Sequence, residues 1–226
     1  MAGHDEAALE EAVLAHLTGL GWSTTSGLEE TFGPGGTLGR DRESEPVLAY
    51  RLIEAVDRLN PEVPESARSS AAQELCESRA GLDPVRVNHE KWALLRDGAR
   101  VTVVNDDGDD ESFRVRFVDW DDPGANDWSA VSQLWMNGLP GRELGRKRTD
   151  VVGFVNGIPL LFIELKAPQV AVESAYTVNV TDYRAAIPQL FWFNGLMLLS
   201  NGPETKVGST YAPWGHFSEW RKVDSE

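Results

Sequence analysis

Residues 149–168, TDVVGFVNGIPLLFIELKAP, constrain the fold more than any other stretch of the sequence. Two apolar runs flank Asn156–Gly157, a dipeptide typical of a two-residue turn, and so predict a β-hairpin of core-like character. Asp150 opens the first run, whereas Glu164 and Lys166 close the second. Side chains alternate along a strand, so Glu164 and Lys166 point the same way, and hairpin pairing brings Asp150 near them. The sequence therefore places two carboxylates and an ammonium together at the open end of an apolar hairpin.

Two carboxylates in such a hairpin need a partner, because burial and mutual repulsion would otherwise raise a pKa or destabilise the fold. Mg²⁺ is one solution, since it takes oxygen ligands from one or two carboxylates and keeps several waters. The Leu165 carbonyl could add a ligand, and Mn²⁺ would fit the same oxygens. Lys166 could orient or deprotonate a water, or stabilise charge developing on a phosphate. The pattern fits phosphodiester hydrolysis; the alternative is that both carboxylates simply pair with Lys166 or Arg148 at a sheet edge.

The rest of the chain predicts helices first and strands afterwards. Apolar residues at helical spacing predict four helices, at residues 5–22, 46–61, 65–79 and 89–99, with a glycine-rich loop over 32–44. Alternating patterns predict strands at residues 100–104, 112–120 and 129–138, and a buried strand at 195–202 after a helical stretch from 176 to about Ala186. This order indicates an α/β or α+β fold with a mixed sheet.

Charge and composition argue against several classes of protein. The net charge of -15 counts against a stand-alone DNA-binding protein, because phosphate contacts normally demand a basic surface. The local exception, GRELGRKR at residues 141–148, either contacts the DNA backbone or forms an ordinary solvated loop. A single cysteine, Cys76, excludes an internal disulfide, and the histidines show no zinc-type spacing. No membrane-spanning run or secretory signal is present, so we expect a cytoplasmic location.

The hairpin and several further segments together resemble a known family. The stretch D-V-V-G-F-V-N-G-I-P-L-L-F-I-E-L-K-A-P is similar to the nuclease motif of the restriction (R) subunit of type I restriction–modification enzymes, which belong to the PD-(D/E)xK nuclease superfamily. Five other segments match the family's pattern in order: RLNP, NHEKWALLRDG, VDWDDPGANDW, DYRAAIPQLFWFNGLMLLSNG and VGSTYAPWGHFSEW. The resemblance covers essentially the whole chain.

The resemblance implies an α/β fold of the restriction-endonuclease type. In that fold a mixed central sheet is flanked by helices, here with a helical N-terminal part. We expect a single nuclease domain over residues 1–226, divided into a mainly helical part at 1–99 and a sheet-bearing catalytic core at 100–226.

Carried over residue by residue, the resemblance makes Asp150 and Glu164 the metal-binding carboxylates and Lys166 the catalytic lysine. The superfamily often adds a glutamate from an early helix as a further metal ligand. Glu10 matches that place best and Glu11 is the second choice; either could instead be a solvated helix carboxylate.

Many members of the superfamily also carry a Gln-x-x-x-Tyr motif on the helix after the ExK strand. Tyr183 matches the tyrosine, but Asn179 stands where the glutamine is expected. Side chains four residues apart share a helix face, so both are candidate catalytic residues, although asparagine has the shorter reach. Packing and capping alone would explain Tyr183 nearly as well. Thr149 replaces the proline of the superfamily's name, a position that varies among members.

The function implied by the resemblance is that of a type I site-specific deoxyribonuclease, an endonuclease that cuts double-stranded DNA with Mg²⁺ or Mn²⁺. No G-x-x-x-x-G-K-[ST] motif occurs, so ATP would act only through a motor domain that this chain lacks. The implied partners are that motor domain and the modification and specificity subunits, with no membrane, and we expect the chain to be a fragment or a naturally short version. The alternatives are a catalytically silent scaffold or docking module of the same fold, and a stand-alone nuclease of the superfamily.

Overall fold

A seven-stranded mixed sheet forms the centre of the fold. The structure, a computed structural model, describes residues 2–105, 107–139 and 145–220, with side chains from residue 5 onward. The strands in these ranges are β1 (Ser23–Ser26), β2 (Ala99–Val104), β3 (Asp110–Val115), β4 (Trp128–Ser132), β5 (Trp135–Asn137), β6 (Arg146–Arg148), β7 (Val151–Val155), β8 (Ile158–Leu165), β9 (Leu196–Ser200), β10 (Thr205–Gly208) and β11 (Ser218–Glu219).

The order of strands across the central sheet is β1-β4-β7-β8-β9-β10-β11, while β2–β3 and β5–β6 form two separate ribbons. The contacts β1–β4 and β8–β9 are parallel, and the other contacts of the central sheet are antiparallel. This arrangement confirms the expected mixed sheet. β7 and β8 are the predicted hairpin, and they lie at the centre of the sheet.

Helices cover both faces of the sheet, as the α/β fold class predicts. The helices are α1 (Ala2–Gly19), α2 (Ala49–Leu59), α3 (Glu65–Cys76), α4 (Pro84–Asp97) and α5 (Thr181–Ala186), with a π-helical turn at Ala175–Val180 and a 3-10 turn at Pro188–Trp192. On one face Leu17 of α1 packs with Val151 and Leu165. On the other face, Tyr183 of α5 meets the ring of Phe162. None of the helices in the described ranges is both long and apolar enough to cross a membrane.

The turn of the central hairpin is anchored by its asparagine side chain. Asn156 and Gly157 both have left-handed backbones, with φ of 52° and 76°, as a two-residue hairpin turn demands. The Asn156 side chain is fully buried and donates to the carbonyl of Phe117 and to Oδ1 of Asn126, both at 2.8 Å. The turn predicted from the sequence is confirmed, and its asparagine also ties the hairpin to the loop that follows β3.

Two predicted strands differ from the structure. The strand expected at 129–138 is interrupted at Gln133, whose φ is 53°, so that β4 stays in the central sheet while β5 pairs with β6. The strand expected at 112–120 ends at Val115, because the next backbone N–H donates to the Asn60 side chain instead of to a neighbouring strand. The part predicted to be mainly helical also supplies β1, which lies at one edge of the central sheet.

The fourth helix begins five residues earlier than the predicted range of 89–99. Asp83 accepts a hydrogen bond from the backbone N–H of Arg86 at 2.9 Å, and Pro84 occupies the first helical turn. An aspartate cap followed by proline is a common helix start. The prediction relied on apolar spacing and missed this capping signal.

We expect Asp83→Ala to lower the free energy of unfolding by about 1 kcal/mol, because it removes the cap of α4. Urea denaturation followed by circular dichroism measures the change. Asp83→Asn is the matched control, since its amide oxygen can still accept from the Arg86 N–H. An equal loss in the asparagine variant would contradict the capping role.

Candidate active site

The open end of the hairpin brings together the three side chains singled out from the sequence. Oδ2 of Asp150 accepts a hydrogen bond from the backbone N–H of Leu165 across the hairpin, at 2.7 Å. Nζ of Lys166 donates to Oε1 of Glu164 at 3.0 Å and to the Leu165 carbonyl at 2.7 Å. Strand alternation therefore predicted the neighbourhood correctly, while the catalytic roles of these residues stay predictions.

Glu164 is buried and Asp150 is half-buried, and the pKa values of both carboxylates respond to that burial. The Glu164 side chain is 1% exposed, and burial, followed by the charge of Asp150, raises its pKa to about 8 against the opposing effect of Lys166. Burial raises the pKa of Asp150 to about 6, although the Leu165 N–H and the Lys166 charge oppose the rise. When both carboxylates are ionised, the site therefore holds more negative charge than Lys166 compensates.

One oxygen of the site has no hydrogen-bond partner among the described residues. Oε2 of Glu164 is buried and makes no hydrogen bond to any group in the described ranges. Unpartnered buried oxygens are costly, and a hard divalent cation would satisfy this one together with the excess negative charge.

The donor set fits a cation that keeps part of its water shell. Among the described residues, no three His, Cys, Asp or Glu side chains form a group able to hold a metal ion by themselves. A site of two carboxylates completed by water suits Mg²⁺, which commonly retains several waters when it binds to proteins.

The early helix contributes a second group of carboxylates beside this site. A cleft of about 440 Å³ is lined in part by Glu6, Glu10, Gln133 and Arg148. Glu10 accepts a hydrogen bond from Nε2 of Gln133, whereas Glu11 is exposed to solvent. Of the two glutamates predicted from the sequence, Glu10 is therefore the one that faces the cleft, and its role as a metal ligand stays a prediction.

Glu6 was not among the predicted residues. It lies one helical turn before Glu10, and its charge contributes to the raised pKa values of both Asp150 and Glu164. The spacing of four residues between two glutamates was a usable signal, because such residues share a helix face.

Tyr183 lies close to the carboxylates but bonds elsewhere. Its buried hydroxyl donates to the Arg148 carbonyl at 2.9 Å, two residues before Asp150. Burial and then the charge of Glu164 raise the pKa of Tyr183, and Asn179 lies near enough to oppose that rise. The geometry gives Tyr183 a capping and packing contact at the entrance to β7, which is the alternative role considered for it.

The basic run lies only partly within the described residues. Residues 141–144 of the predicted DNA contact fall outside them, and residues 145–148 fall inside. Arg146 forms an ion pair with Glu43 at 2.5 Å and stacks on the ring of Trp135 at 3.9 Å. Arg148 lines the cleft beside Glu10. Among residues 145–148, Arg148 is therefore the cation best placed for a phosphate near Asp150.

Comparison with known proteins finds relatives along nearly the whole chain. The family model described as the type I restriction enzyme R protein N terminus matches residues 4–216. The type I restriction enzyme HindI endonuclease subunit of Haemophilus influenzae is 35% identical over 222 residues, which cover 96% of this chain and 20% of that protein. A Methanocaldococcus jannaschii protein, named provisionally as the type I restriction enzyme MjaIXP endonuclease subunit, is 26% identical over 231 residues, or 99% of this chain and 21% of that protein. The chain spans about one fifth of the length of these relatives.

Proposed function

The chain belongs to the family of type I restriction enzyme R protein N termini, and on that premise we propose that it is a metal-dependent DNA endonuclease domain. The observation that carries the proposal is the pair of carboxylates formed by the half-buried Asp150 and the buried Glu164. Lys166 donates a hydrogen bond to Glu164, whose second oxygen is buried and has no hydrogen-bond partner among the described residues. The reaction is the hydrolysis of phosphodiester bonds in double-stranded DNA, the activity of a type I site-specific deoxyribonuclease.

Asp150 and Glu164 would hold the divalent cation, Mg²⁺ or Mn²⁺. The Leu165 carbonyl and Glu10 are further candidate oxygen ligands. When bound, the ion would polarise the phosphate and lower the pKa of a water molecule. The support lies in the raised pKa values of both carboxylates in the metal-free chain, which are caused first by burial and then by neighbouring carboxylates, since a bound cation would offset both effects.

The Leu165 N–H and the Lys166 ammonium would then orient the groups that take part in the reaction. The Leu165 N–H fixes one oxygen of Asp150, so that the other oxygen has a defined direction. Lys166 is anchored to Glu164 and to the Leu165 carbonyl, and its side chain remains 15% exposed. An ammonium has three N–H donors, so Lys166 has one left to orient a water or to stabilise charge that develops on the phosphate.

The rest of the proposed enzyme lies in other domains and subunits. ATP would be used by the motor domain of the R subunit, and DNA sequence recognition would belong to the modification and specificity subunits. Delivery of DNA by these partners would explain how a domain with a net charge of -15 can act on DNA. The location we propose is the prokaryotic cytoplasm.

A catalytically silent scaffold or docking module of the same fold is the second candidate. Asn179 in place of the expected glutamine favours it, and so does the capping contact of Tyr183. The intact Asp150, Glu164 and Lys166 favour the nuclease, because a scaffold gains no stability from placing a buried and a half-buried carboxylate where they repel each other.

Titration calorimetry with Mn²⁺ and Mg²⁺ tests the proposal. We expect the wild-type chain to bind the ions and both Asp150→Ala and Glu164→Ala to abolish binding. The affinity should rise from pH 6 to pH 9, because the cation competes with a proton on Glu164, whose pKa is raised to about 8. Asp109→Ala, in the β2–β3 turn, removes an acidic residue remote in sequence from the hairpin and should leave the titration unchanged.

If DNA supplies part of the metal site, the wild-type chain should bind the ion only after a short DNA duplex is added. If the wild-type chain binds no ion with or without duplex, or if binding is indifferent to both substitutions, the nuclease proposal fails and the scaffold becomes the better description.

A further inference from the structure

Gln133 occupies a backbone conformation that a glutamine rarely adopts. Its φ of 53° places it in the left-handed region, at the point where the chain leaves β4 and enters β5. Residues keep such conformations only where the surrounding structure imposes them. Three backbone hydrogen bonds do so here: Gly27 N–H to the Ser132 carbonyl at 2.7 Å, Gln133 N–H to the Asp150 carbonyl at 2.7 Å, and Thr149 N–H to the Leu134 carbonyl at 3.0 Å.

The irregular backbone redirects the Gln133 side chain. In a regular continuation of β4 the side chain would follow the alternation of the strand, but strand irregularities next to active sites often aim a side chain elsewhere. Here the amide reaches the cleft and donates to the Glu10 carboxylate of α1, 123 residues away in the sequence. The same residue therefore holds Asp150 through its main chain and Glu10 through its side chain.

We propose that Gln133 is a positioning residue that sets the distance between the Glu10 carboxylate of the first helix and the metal-binding end of the hairpin. The inference rests on the proposed metal-dependent nuclease. Without the bond to Gln133, the Glu10 side chain could change its rotamer freely. With the bond, the Glu10 carboxylate is coupled to the residue whose backbone N–H holds Asp150. Gln133 itself touches neither DNA nor metal in this role.

The substitution Gln133→Gly separates the two contacts. Glycine adopts positive φ readily and keeps the backbone N–H to the Asp150 carbonyl, so only the side-chain bond to Glu10 is lost. We expect Mn²⁺ affinity to fall about tenfold or more, as is typical when a residue that orients a metal ligand is removed. Glu10→Gln should cause a loss of similar size, and the double variant should lose little beyond either single one, because the two residues act as a unit. Glu11→Gln, on the exposed side of the same helix, is the matched control and should bind Mn²⁺ like the wild type.

Two further measurements separate positioning from a merely structural role. The EPR spectrum of bound Mn²⁺ should change in Gln133→Gly, since the oxygen ligands around the ion are then less well ordered. Thermal unfolding of the metal-free chain should show coupling between Gln133→Gly and Glu10→Ala, because alanine removes the acceptor of the bond. The glycine variant alone should unfold no more than a few degrees below the wild type, since relief of the left-handed strain offsets the lost bond.

The outcomes distinguish this inference from the proposed function. If the wild type binds Mn²⁺ and Asp150→Ala abolishes binding, but Gln133→Gly binds with wild-type affinity and spectrum, the positioning role is wrong and the nuclease proposal stands. Additive losses in the double variant, or no coupling in thermal unfolding, would also overturn it. If the wild type binds no ion with or without a DNA duplex, or if Asp150→Ala leaves binding unchanged, the proposed function fails, and the positioning role fails with it.

Discussion

Replacing Lys166 by methionine is expected to lower the rate of DNA cleavage by about 10³-fold, the scale of losing one group that transfers a proton or stabilises developing charge. Methionine keeps the aliphatic reach of the side chain but removes the ammonium that bonds Glu164 and the Leu165 carbonyl. Metal binding should be retained, because Asp150 and Glu164 are unchanged. The measurement is single-turnover cleavage of plasmid DNA by an R subunit carrying this domain, assembled with its partner subunits, together with calorimetry on the isolated chain.

The chain offers a closely matched control in Lys206. This lysine of β10 pairs with a glutamate two positions before it, Glu204, at 3.2 Å, just as Lys166 pairs with Glu164. Lys206→Met should therefore cleave at the wild-type rate. Cleavage by Lys166→Met at a rate within a few fold of Lys206→Met would remove Lys166 from the reaction and leave it a structural counter-charge.

Local sequence rules predict the hairpin and its charged end because both depend on neighbouring residues. The Asn156–Gly157 dipeptide determines the turn, and the period of two places Glu164 and Lys166 on one side. The turn does not determine the whole pairing, because a bulge between Gly153 and Phe154 shifts the register by one residue. Asp150 then meets the end of β8 without any information from the rest of the fold. The mixed sheet was also predictable, since helices, hairpins and a helix-linked strand alternate along the chain.

Gln133 shows what such rules cannot predict. The run SAVSQLWMNG alternates like a single strand, and no residue within it indicates that the chain changes sheets at Gln133. The break depends on backbone bonds to Gly27, Thr149 and Asp150, which lie outside that run. A related limit applies to α1, because the spacing shows that Glu6 and Glu10 share a helix face, whereas the docking of the helix on the sheet decides that this face meets the cleft. The site is therefore completed by contacts between segments far apart in the sequence, and local conformational preferences do not predict these contacts.

Glu164→Gln is expected to stabilise the metal-free fold at pH 9 while it abolishes metal binding. The buried carboxylate pairs poorly in the absence of a cation, and its Oε2 has no hydrogen-bond partner among the described residues. Glutamine has nearly the same shape and carries no charge, so the repulsion from Asp150 disappears. The gain should be on the order of a few kcal/mol, which is the scale of the rise in the Glu164 pKa from 4.5 to about 8. Urea denaturation of the two proteins in a chelating buffer measures it.

The raised pKa of Glu164 makes the stability difference between Glu164→Gln and the metal-free wild type depend on pH. The folded-state pKa of Glu164 lies above the unfolded value, so the stability contributed by the protonated form is complete below pH 4.5 and is lost as the pH rises through 8. The advantage of the glutamine variant should therefore be large at pH 9, shrink through pH 6 and vanish near pH 4. Added Mg²⁺ should reverse the order at pH 9, because it binds the ionised pair of the folded wild type and stabilises that protein alone. A glutamine variant that is less stable than the metal-free wild type at pH 9 would show that Glu164 stabilises the fold through its pairing with Lys166, and the case for a cation between the two carboxylates would then lose its physical basis.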